Sequence, residues 1–120
     1  MRSMGVDVLE LSRRQHGELV VVSLAGELDA DNISQVRKCL DEAVRASEPR
    51  LVVDLSAVTF IDTTGLGVLV RQLATVRERE GSMALVAPDG QVLRRLRRTN
   101  LAPLFPIYDT LPEALSDALA

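Results

Sequence analysis

The sequence predicts an α/β domain with a mixed β-sheet of about five strands and about four helices. Short apolar runs alternate with segments whose apolar residues recur every three or four positions, which is typical of alternating strands and helices. Only a short turn separates the first two predicted strands, as in a hairpin, whereas predicted helices separate the later ones. The predicted element order is therefore β-β-α-β-α-β-α-β-α, with right-handed crossovers.

Length and composition fit a single domain over residues 1–120. Hydrophobic residues make up 47% of the chain, which suffices for a core, and 26% of the residues are charged. Aromatic residues are only 2% and the net charge is -3, so neither base stacking nor phosphate attraction favours nucleic-acid binding. Cys39 is the only cysteine, and the first residues carry no apolar signal core. We therefore expect a cytoplasmic location, and no apolar run is long enough for membrane insertion.

The first two strands are predicted as a hairpin. The apolar run over residues 19–25 is rich in β-branched residues and stops at Gly26, which is predicted to end the second strand. Residues 15–18 are predicted as the tight turn before it. The first strand is predicted from alternating apolar positions, which are Val6, Val8 and Leu11.

The first helix and the central strand follow. Asp29 or Asp31 is placed to cap a helix that runs to about Ser47. The apolar residues of this helix recur every three or four positions, and they are Ile33, Val36, Leu40 and Val44. After Pro49, the run over residues 51–55 is largely apolar, which suits a parallel strand buried on both faces.

The second half of the chain continues the alternation. A second helix is predicted to begin near Thr63 or Thr64 and to end at Gly81. Its apolar face is formed by Leu66, Leu69, Val70, Leu73 and Val76. The next predicted elements are a buried strand at 83–87, a basic helix at 91–98 and a short strand at 107–108. Thr110 is predicted to cap the last helix, which has Pro112 and Glu113 in its first turn.

The turn Asp62-Thr63-Thr64-Gly65 opens the second helix with a carboxylate and two adjacent hydroxyls. If the strands that end near Ala25 and Leu55 run parallel, this turn and the loop 26–29 lie at the same edge of the sheet. In open α/β sheets that edge tends to carry the site. The expected site combines the polar side chains of Glu27, Asp29, Asp31, Asp62, Thr63 and Thr64.

Two interpretations of the turn are compatible with each other. Asp and Thr side chains accept hydrogen bonds from free first-turn amides, so the turn can be a helix cap alone, and the residues by themselves put this interpretation first. A phosphate on either hydroxyl would, however, meet the same free N–H groups and the positive end of the helix dipole. The turn is therefore also a candidate site of phosphorylation.

The remaining polar and small residues carry weaker signals. Gly65 and Gly67 lack the third glycine or the lysine of a phosphate-binding loop, so we expect them to let the helix pack closely on the sheet. His16 has no second ligand nearby, and neither a metal nor another cofactor is expected. Cys39 is expected to be an inert, partly buried thiol. A basic cluster in the third helix is expected to be a solvated face, with docking of an acidic partner as the alternative; it comprises Arg94, Arg95, Arg97 and Arg98.

Two motifs make the chain resemble a known family. The segments Asp54-Leu55-Ser56 and Phe60-Ile61-Asp62-Thr63-Thr64-Gly65-Leu66-Gly67 together resemble the signature of STAS domains, especially bacterial anti-sigma factor antagonists. The earlier segment Leu24-Ala25-Gly26-Glu27-Leu28-Asp29 resembles the other hallmark of that family, a Gly-Glu-Leu-Asp segment. The resemblance covers essentially the whole chain in the same element order, so it implies the STAS fold.

The resemblance implies a partner switch. In such antagonists the second hydroxyl of the Asp-Ser-Ser-Gly type motif is phosphorylated, which corresponds to Thr64 here, with Thr63 as the alternative. The unmodified protein binds an anti-sigma factor that is also a serine/threonine kinase and so frees a sigma factor; phosphorylation by that kinase ends the binding, and a phosphatase restores it. The implied partner surface comprises Glu27, Asp29, Asp62, Thr63, Thr64, Gly65 and Leu66. The chain is then a regulator without catalytic residues, and a monomer or weak homodimer.

Two other functions are alternatives to this one. Isolated STAS chains also serve as accessory subunits of stressosome or lipid-transport complexes, and threonine in the motif would suit a stressosome component. An enzyme with Thr64 as its nucleophile would need a nearby His, Lys or N-terminal amine as base, and the motif supplies none. Regulation by partner switching is therefore the leading expectation.

Overall fold

A five-stranded mixed sheet organises the chain, and its strands lie side by side in sequence order. The computed structural model describes residues 9–119. The strands are β1 (Glu10–His16), β2 (Leu19–Leu28), β3 (Arg50–Ile61), β4 (Ser82–Val86) and β5 (Ile107–Tyr108). The helices are α1 (Ile33–Ala43), α2 (Thr63–Glu78), α3 (Gln91–Arg98) and α4 (Leu111–Ala118), with a 3₁₀ turn at Ala102–Leu104. The predicted fold class and element order are confirmed.

β1 and β2 form the predicted antiparallel hairpin. Their loop consists only of residues 17 and 18, because His16 pairs with Leu19. The turn predicted over four residues is therefore too long by two, and its first half belongs to β1. Of the alternating positions that predicted the first strand, Leu11 lies in β1. The other two, Val6 and Val8, lie outside the described residues.

The parallel pair β2 and β3 extends further than the sequence predicted. The second strand was predicted to stop at Gly26, because glycine commonly ends strands, but β2 continues to Leu28. Gly26 has a φ of +109°, a conformation that favours glycine, and the pairing register shifts beside it, as in a β-bulge. The bulge allows the ladder to continue, so β3 also extends beyond Leu55, as far as Ile61.

The start and end of α1 differ from the prediction. Neither Asp29 nor Asp31 is the cap; Asn32 occupies the N-cap position, and its side chain makes no capping hydrogen bond. The Asp29 carboxylate instead accepts a hydrogen bond of 3.0 Å from the Asp31 amide within the preceding loop. The helix ends at Ala43 rather than near Ser47, and residues 46–48 form a bend before β3. All four apolar positions that predicted the helix are buried, namely Ile33, Val36, Leu40 and Val44.

The later elements follow the predictions closely. α2 ends at Glu78, ahead of the predicted end at Gly81, because Glu80 adopts a left-handed φ of +60°. β4 lies one residue earlier than predicted, whereas α3 and β5 have the predicted bounds. Thr110 caps α4 in a capping box with Glu113, which confirms that prediction.

Two hydrophobic clusters lie on opposite faces of the sheet. Because neighbouring strand residues point to opposite faces, Val20 and Val22 belong to the larger cluster, whereas Leu19 and Val21 belong to the smaller one. α1, α2 and α3 contribute to the larger cluster, and α4 contributes to the smaller one. The larger cluster holds the first turn of α2 against the ends of β2 and β3, through Leu28, Ile61 and Leu66.

Gly65 marks a close approach of α2 to the sheet, and it yields a stability prediction. A Cβ atom at this position would lie 2.7 Å from Cγ1 of Ile61 and 3.3 Å from Cβ of Leu28, and both of these residues are buried. Gly65→Ala should therefore lower the free energy of unfolding by about 1–3 kcal/mol, as overpacking of a core does. Urea denaturation followed by circular dichroism measures the change.

Gly67, in the same helix, is the matched control for this experiment. A Cβ atom at Gly67 would meet no other atom within 4 Å. Gly67→Ala should raise the free energy of unfolding by about 0.5–1 kcal/mol, because alanine loses less backbone entropy than glycine on forming a helix. Equal effects of the two substitutions would contradict the close-packing role of Gly65.

Candidate functional site

The ends of β2 and β3 bring the two conspicuous segments of the sequence together. Leu28 pairs with Ile61 at the end of the parallel ladder. The amide of Asp62 then donates a hydrogen bond of 3.0 Å to the carbonyl of Leu28. The predicted placement of the loop 26–29 and the turn 62–65 at one edge of the sheet is therefore confirmed, although part of that loop belongs to β2.

Asp62 caps α2, which begins at Thr63 as predicted. The backbone of Asp62 is extended, so its carboxylate can reach the amides of the first turn. Its Oδ1 accepts a hydrogen bond of 3.1 Å from the Gly65 amide and a second one from the Thr64 hydroxyl. The interpretation of the turn as a helix cap is confirmed, with the carboxylate rather than a hydroxyl as the capping group.

Hydrogen bonds hold the pKa of the Asp62 carboxyl below its ordinary value. The Thr64 hydroxyl makes the largest contribution; the amides of Gly65, Thr64 and Ala30 add to it, and partial desolvation opposes it. Ala30 belongs to the loop after β2, so both segments of the site influence the pKa of this carboxyl. Asp62 is consequently anionic at neutral pH and a weak base.

The two hydroxyls of the turn are both exposed but differ in their contacts. The hydroxyl of Thr64 donates to Asp62, which gives it a defined position at the start of α2. The hydroxyl of Thr63 has no hydrogen-bond partner among residues 9–119. Thr64 is therefore the hydroxyl that the fold holds in place.

Asn32 is a site residue that the sequence analysis missed. Only 9% of its surface is exposed. Its Nδ2 donates to the Glu27 carbonyl at 2.6 Å, and its Oδ1 accepts from the Asp29 amide at 3.1 Å. Asn32 thus fixes the backbone of the loop that carries both acidic residues. Its signal in the sequence is a capping-type residue directly before the apolar helical pattern, a signal that Asp31 shares.

The residues of the expected partner surface differ in exposure. Thr63 and Thr64 are exposed. The three acidic residues, Glu27, Asp29 and Asp62, are half-buried, and Gly65 and Leu66 are buried. The two buried residues cannot offer side chains to a partner, because they pack in the core; they set the position of the exposed first turn. Close packing, which was expected of both glycines, is confirmed for Gly65 and wrong for Gly67, which is exposed with open space around it.

The other polar candidates do not form a second site of chemistry. His16 lies at the end of β1 rather than in a turn, and it is half-buried. Burial raises the pKa of the Cys39 thiol, so little of it is thiolate at neutral pH. In the part of the chain that the structure describes, no group of three or more His, Cys, Asp or Glu side chains could hold a metal ion. No helix in residues 9–119 is long and apolar enough to cross a membrane.

A second feature that the sequence analysis missed lies beside the site, between α3 and the end of β3. The cavity there has a volume of about 280 Å³ and is lined by Phe60, Ile61, Gln91, Arg94, Arg95 and Arg98. Phe60 is 40% exposed, and the guanidinium of Arg95 lies over its ring, 5.9 Å from the centroid. We refer to this cavity as the basic groove. The expectation of a solvated face fits Arg94, Arg97 and Arg98, which are exposed, but not Arg95, which is half-buried.

Comparison with known protein families accounts for this arrangement. A family model for the STAS domain matches residues 10–114. The chain belongs to the STAS domain family. The expected STAS fold is thereby confirmed, with the two hallmark segments of the sequence on adjacent strand ends.

Relatives of this STAS domain include anti-sigma factor antagonists. An anti-sigma F factor antagonist of Paenibacillus polymyxa is 31% identical over 110 residues, which cover 91% of this chain and 94% of that protein. The crystal structure of an anti-sigma factor antagonist from Mycobacterium paratuberculosis has a TM-score of 0.86 at 31% identity and covers 95% of this chain and 97% of that chain. The Bacillus cell fate determinant SpoIIAA in its phosphorylated form shares the fold, with a TM-score of 0.69 at 21% identity over 92% of this chain and 98% of that chain.

The Asp62 cap yields a prediction about stability and pH. Because its pKa is lowered by folding, the carboxylate stabilises the domain above its unfolded-state pKa, and this contribution is lost as the pH falls through the folded-state pKa. Asp62→Ala should lower the free energy of unfolding by about 0.5–2 kcal/mol at neutral pH. The difference from the wild type should shrink in strongly acidic solution, as measured by urea denaturation across the acidic range.

A pair of hydroxyl deletions tests the cause of the pKa shift. Thr64→Val should raise the pKa of Asp62 in an NMR titration, since it removes the largest of the hydrogen-bond contributions. Thr63→Val is the control and should leave that pKa unchanged. An Asp62 pKa that is the same in both variants would be incompatible with the leading role of the Thr64 hydroxyl.

Proposed function

We propose that this STAS domain is an anti-sigma factor antagonist, which binds an anti-sigma factor in the cytoplasm and thereby frees a sigma factor. Relatives that bear this name align with nearly the whole chain. The observation that carries the proposal is local: the exposed Thr64 hydroxyl is held by Asp62 at the start of α2, beside the loop after β2. This arrangement offers a group for modification at a rigid helix end. The chain is accordingly a regulator rather than an enzyme.

Thr64 is the residue that we assign to the switch, and the anti-sigma factor is its kinase. The kinase transfers the γ-phosphoryl group of ATP to Oγ1 of Thr64; the hydroxyl proton leaves, and ADP and phosphothreonine are the products. The hydrogen bond from this hydroxyl to the Asp62 carboxylate orients it for the transfer. The base and the rest of the catalytic machinery belong to the partner. Thr63 is the alternative acceptor.

Phosphorylation turns the attraction between Thr64 and Asp62 into repulsion. The ester oxygen no longer donates a hydrogen bond, and the phosphate places a charge of about -1.5 to -2 beside an anionic carboxylate. The start of α2 stabilises this anion through its amides and the helix dipole, so the fold is retained. The modified side chain then turns away from Asp62, towards the exposed surface where the partner docks.

Release of the partner follows from this change in charge and volume. Before modification the partner packs against a hydroxyl and a methyl group; afterwards it meets a bulky dianion. Each cost of about 1.4 kcal/mol in desolvation and repulsion weakens the affinity about tenfold, so a few such contributions suffice for release. A protein phosphatase that hydrolyses the phosphothreonine restores the binding form.

The docking surface in this proposal is the first turn of α2 together with the loop after β2. Its contact residues are Glu27, Asp29, Asp62, Thr63 and Thr64, supported from beneath by Gly65 and Leu66. A single domain over residues 1–120, acting as a monomer or weak homodimer, is sufficient for this switch. Because every contact residue lies near one edge of the sheet, one partner can cover them together.

Phosphorylation by the cognate anti-sigma factor kinase tests the site. Incubation with the kinase and ATP should label the wild type and the Thr63→Ala control, but not Thr64→Ala, because, of the two hydroxyls of the turn, only that of Thr64 has an orienting hydrogen bond within the described residues. Mass spectrometry of the digested proteins locates the phosphate. Undiminished labelling of Thr64→Ala would sink the assignment, and selective loss in Thr63→Ala would transfer it to the neighbouring hydroxyl.

A charge at the acceptor position tests the electrostatic part of the switch. Thr64→Glu should weaken binding of the anti-sigma factor by about tenfold or more, because it places a carboxylate in the docking surface. Calorimetric titration measures the affinity, and circular dichroism should show an unchanged fold. Thr64→Gln is the matched control of similar shape without charge. Equal affinities of these two variants would argue against an electrostatic release.

A further inference from the structure

The basic groove contains a buried donor without an acceptor. Its lining combines three arginines with an exposed aromatic ring, and it includes no acidic residue. Within the described residues, the buried Nε of Arg95 has no hydrogen-bond partner. A buried N–H group without an acceptor is unfavourable. Beside it, the exposed side chains of Arg94 and Arg98 can bind an anionic group that enters the groove.

The arginines of the groove share one face of α3. Residues 91, 94, 95 and 98 are spaced three or four positions apart, which places them along one stripe of the helix. Another face of the same helix is buried in the core and consists of Val92, Leu93 and Leu96. Arg97 is exposed and does not line the groove. The groove is therefore a property of one helix face and not of the basic helix as a whole.

The floor of the groove is continuous with the proposed switch. Phe60 and Ile61 directly precede Asp62 in the chain, and extended residues rise about 3.3 Å each, so Phe60 lies within about 7 Å of the cap along the strand. One partner that covers the exposed turn can therefore also reach into the groove. The two surfaces differ in sign, since the turn and its neighbouring loop are acidic whereas the groove is basic.

We propose that the basic groove docks an acidic segment of the anti-sigma factor, an inference that rests on the proposed function and extends its docking surface. Carboxylates of this segment contact Arg94, Arg95 and Arg98, and an apolar side chain packs on Phe60. Charge complementarity favours this occupant, because guanidinium groups bind carboxylates with directed hydrogen bonds. A partner that contacts both the acidic turn and the basic groove is also fixed in one orientation, because the two surfaces have opposite charge.

Phosphorylation of Thr64 would act on the docked segment as well as on the turn. The Debye length is about 8 Å at physiological salt, so solvent ions screen only part of the repulsion between a dianion at the turn and an acidic segment nearby. The phosphate would also lower the positive potential that attracts this segment. The groove therefore makes partner binding more sensitive to the charge at Thr64.

A matched pair of charge reversals tests the docking site. Arg98→Glu changes a residue that lines the groove, and Arg97→Glu makes the same change in the same helical turn outside it. The probe is a peptide that alternates Glu and Leu, titrated into the unphosphorylated protein and followed by ¹H–¹⁵N NMR. The peptide should shift the amide signals of Phe60, Ile61 and α3 in the wild type and in Arg97→Glu. In Arg98→Glu its affinity should fall about tenfold.

Two results of the titration would overturn the proposal. Equal losses in the two variants would mean that the peptide is attracted to α3 without using the groove. Inorganic phosphate that reproduces the same shifts at the same concentration would mean a site for small anions rather than for a peptide. Circular dichroism verifies that each variant is folded, and Arg98→Gln, with an expected smaller loss of affinity, replaces Arg98→Glu if that variant does not fold.

Binding to the anti-sigma factor itself separates this inference from the proposed function. If the wild type binds it and both charge-reversal variants bind it equally well, the groove inference fails and the antagonist function stands. If the wild type does not bind the anti-sigma factor, the proposed function fails, and so does the assignment of the anti-sigma factor as the occupant of the groove. Selective weakening in Arg98→Glu, restored by an acid-to-arginine change in the partner, supports the docking of an acidic segment.

Discussion

The site depends on the pairing of β2 with β3 beyond the reach of β4. β4 pairs with β3 only along residues 50–54, whereas β2 continues beside β3 to the pair of Leu28 and Ile61. On one side this extension brings the loop after β2 next to the start of α2, where the Asp62 amide is bonded to the Leu28 carbonyl and its carboxylate caps the helix. On the other side α3 packs against β3, and the basic groove lies between them. One structural feature, made possible by the bulge at Gly26, thus generates both surfaces.

The first turn of α2 and the loop after β2 are held in place by the residues beneath them. Gly65 lets the first turn of α2 approach Ile61 and Leu28 at van der Waals distance, and Asn32 fixes the loop from below through hydrogen bonds to its backbone. A modification at the exposed turn therefore changes charge and shape at the surface, while the core contacts of α2 persist. Such a support suits the proposed switch, because a modification would then change the docking surface without a rearrangement of the domain.

Most features that were predicted correctly have a local signal, whereas several that were missed depend on tertiary contacts; the cap of α1 is an exception. The bounds of α3 and the capping box of α4 were predicted correctly, since apolar spacing and capping residues lie within a few positions of each other. The extension of β2 was missed because a glycine commonly ends a strand. Only the pairing with β3 shows that Gly26 forms a bulge instead. The contact between Arg95 and Phe60 joins distant parts of the chain, and no sequence pattern in either segment predicts it.

In the proposed switch, the relation between Asp62 and Thr64 explains how the fold can be retained after a phosphorylation that releases the partner. Phosphorylation removes a hydrogen bond to the cap and introduces repulsion, costs comparable to the loss of a cap, about 0.5–2 kcal/mol. The same phosphate gains about 0.3–1 kcal/mol or more from the amides and dipole at the start of α2. Within the domain these contributions oppose each other. At the proposed docking surface, a partner that packs against a neutral hydroxyl would offer the dianion no such compensation. Phosphorylation would therefore change the free energy of partner binding much more than the free energy of unfolding.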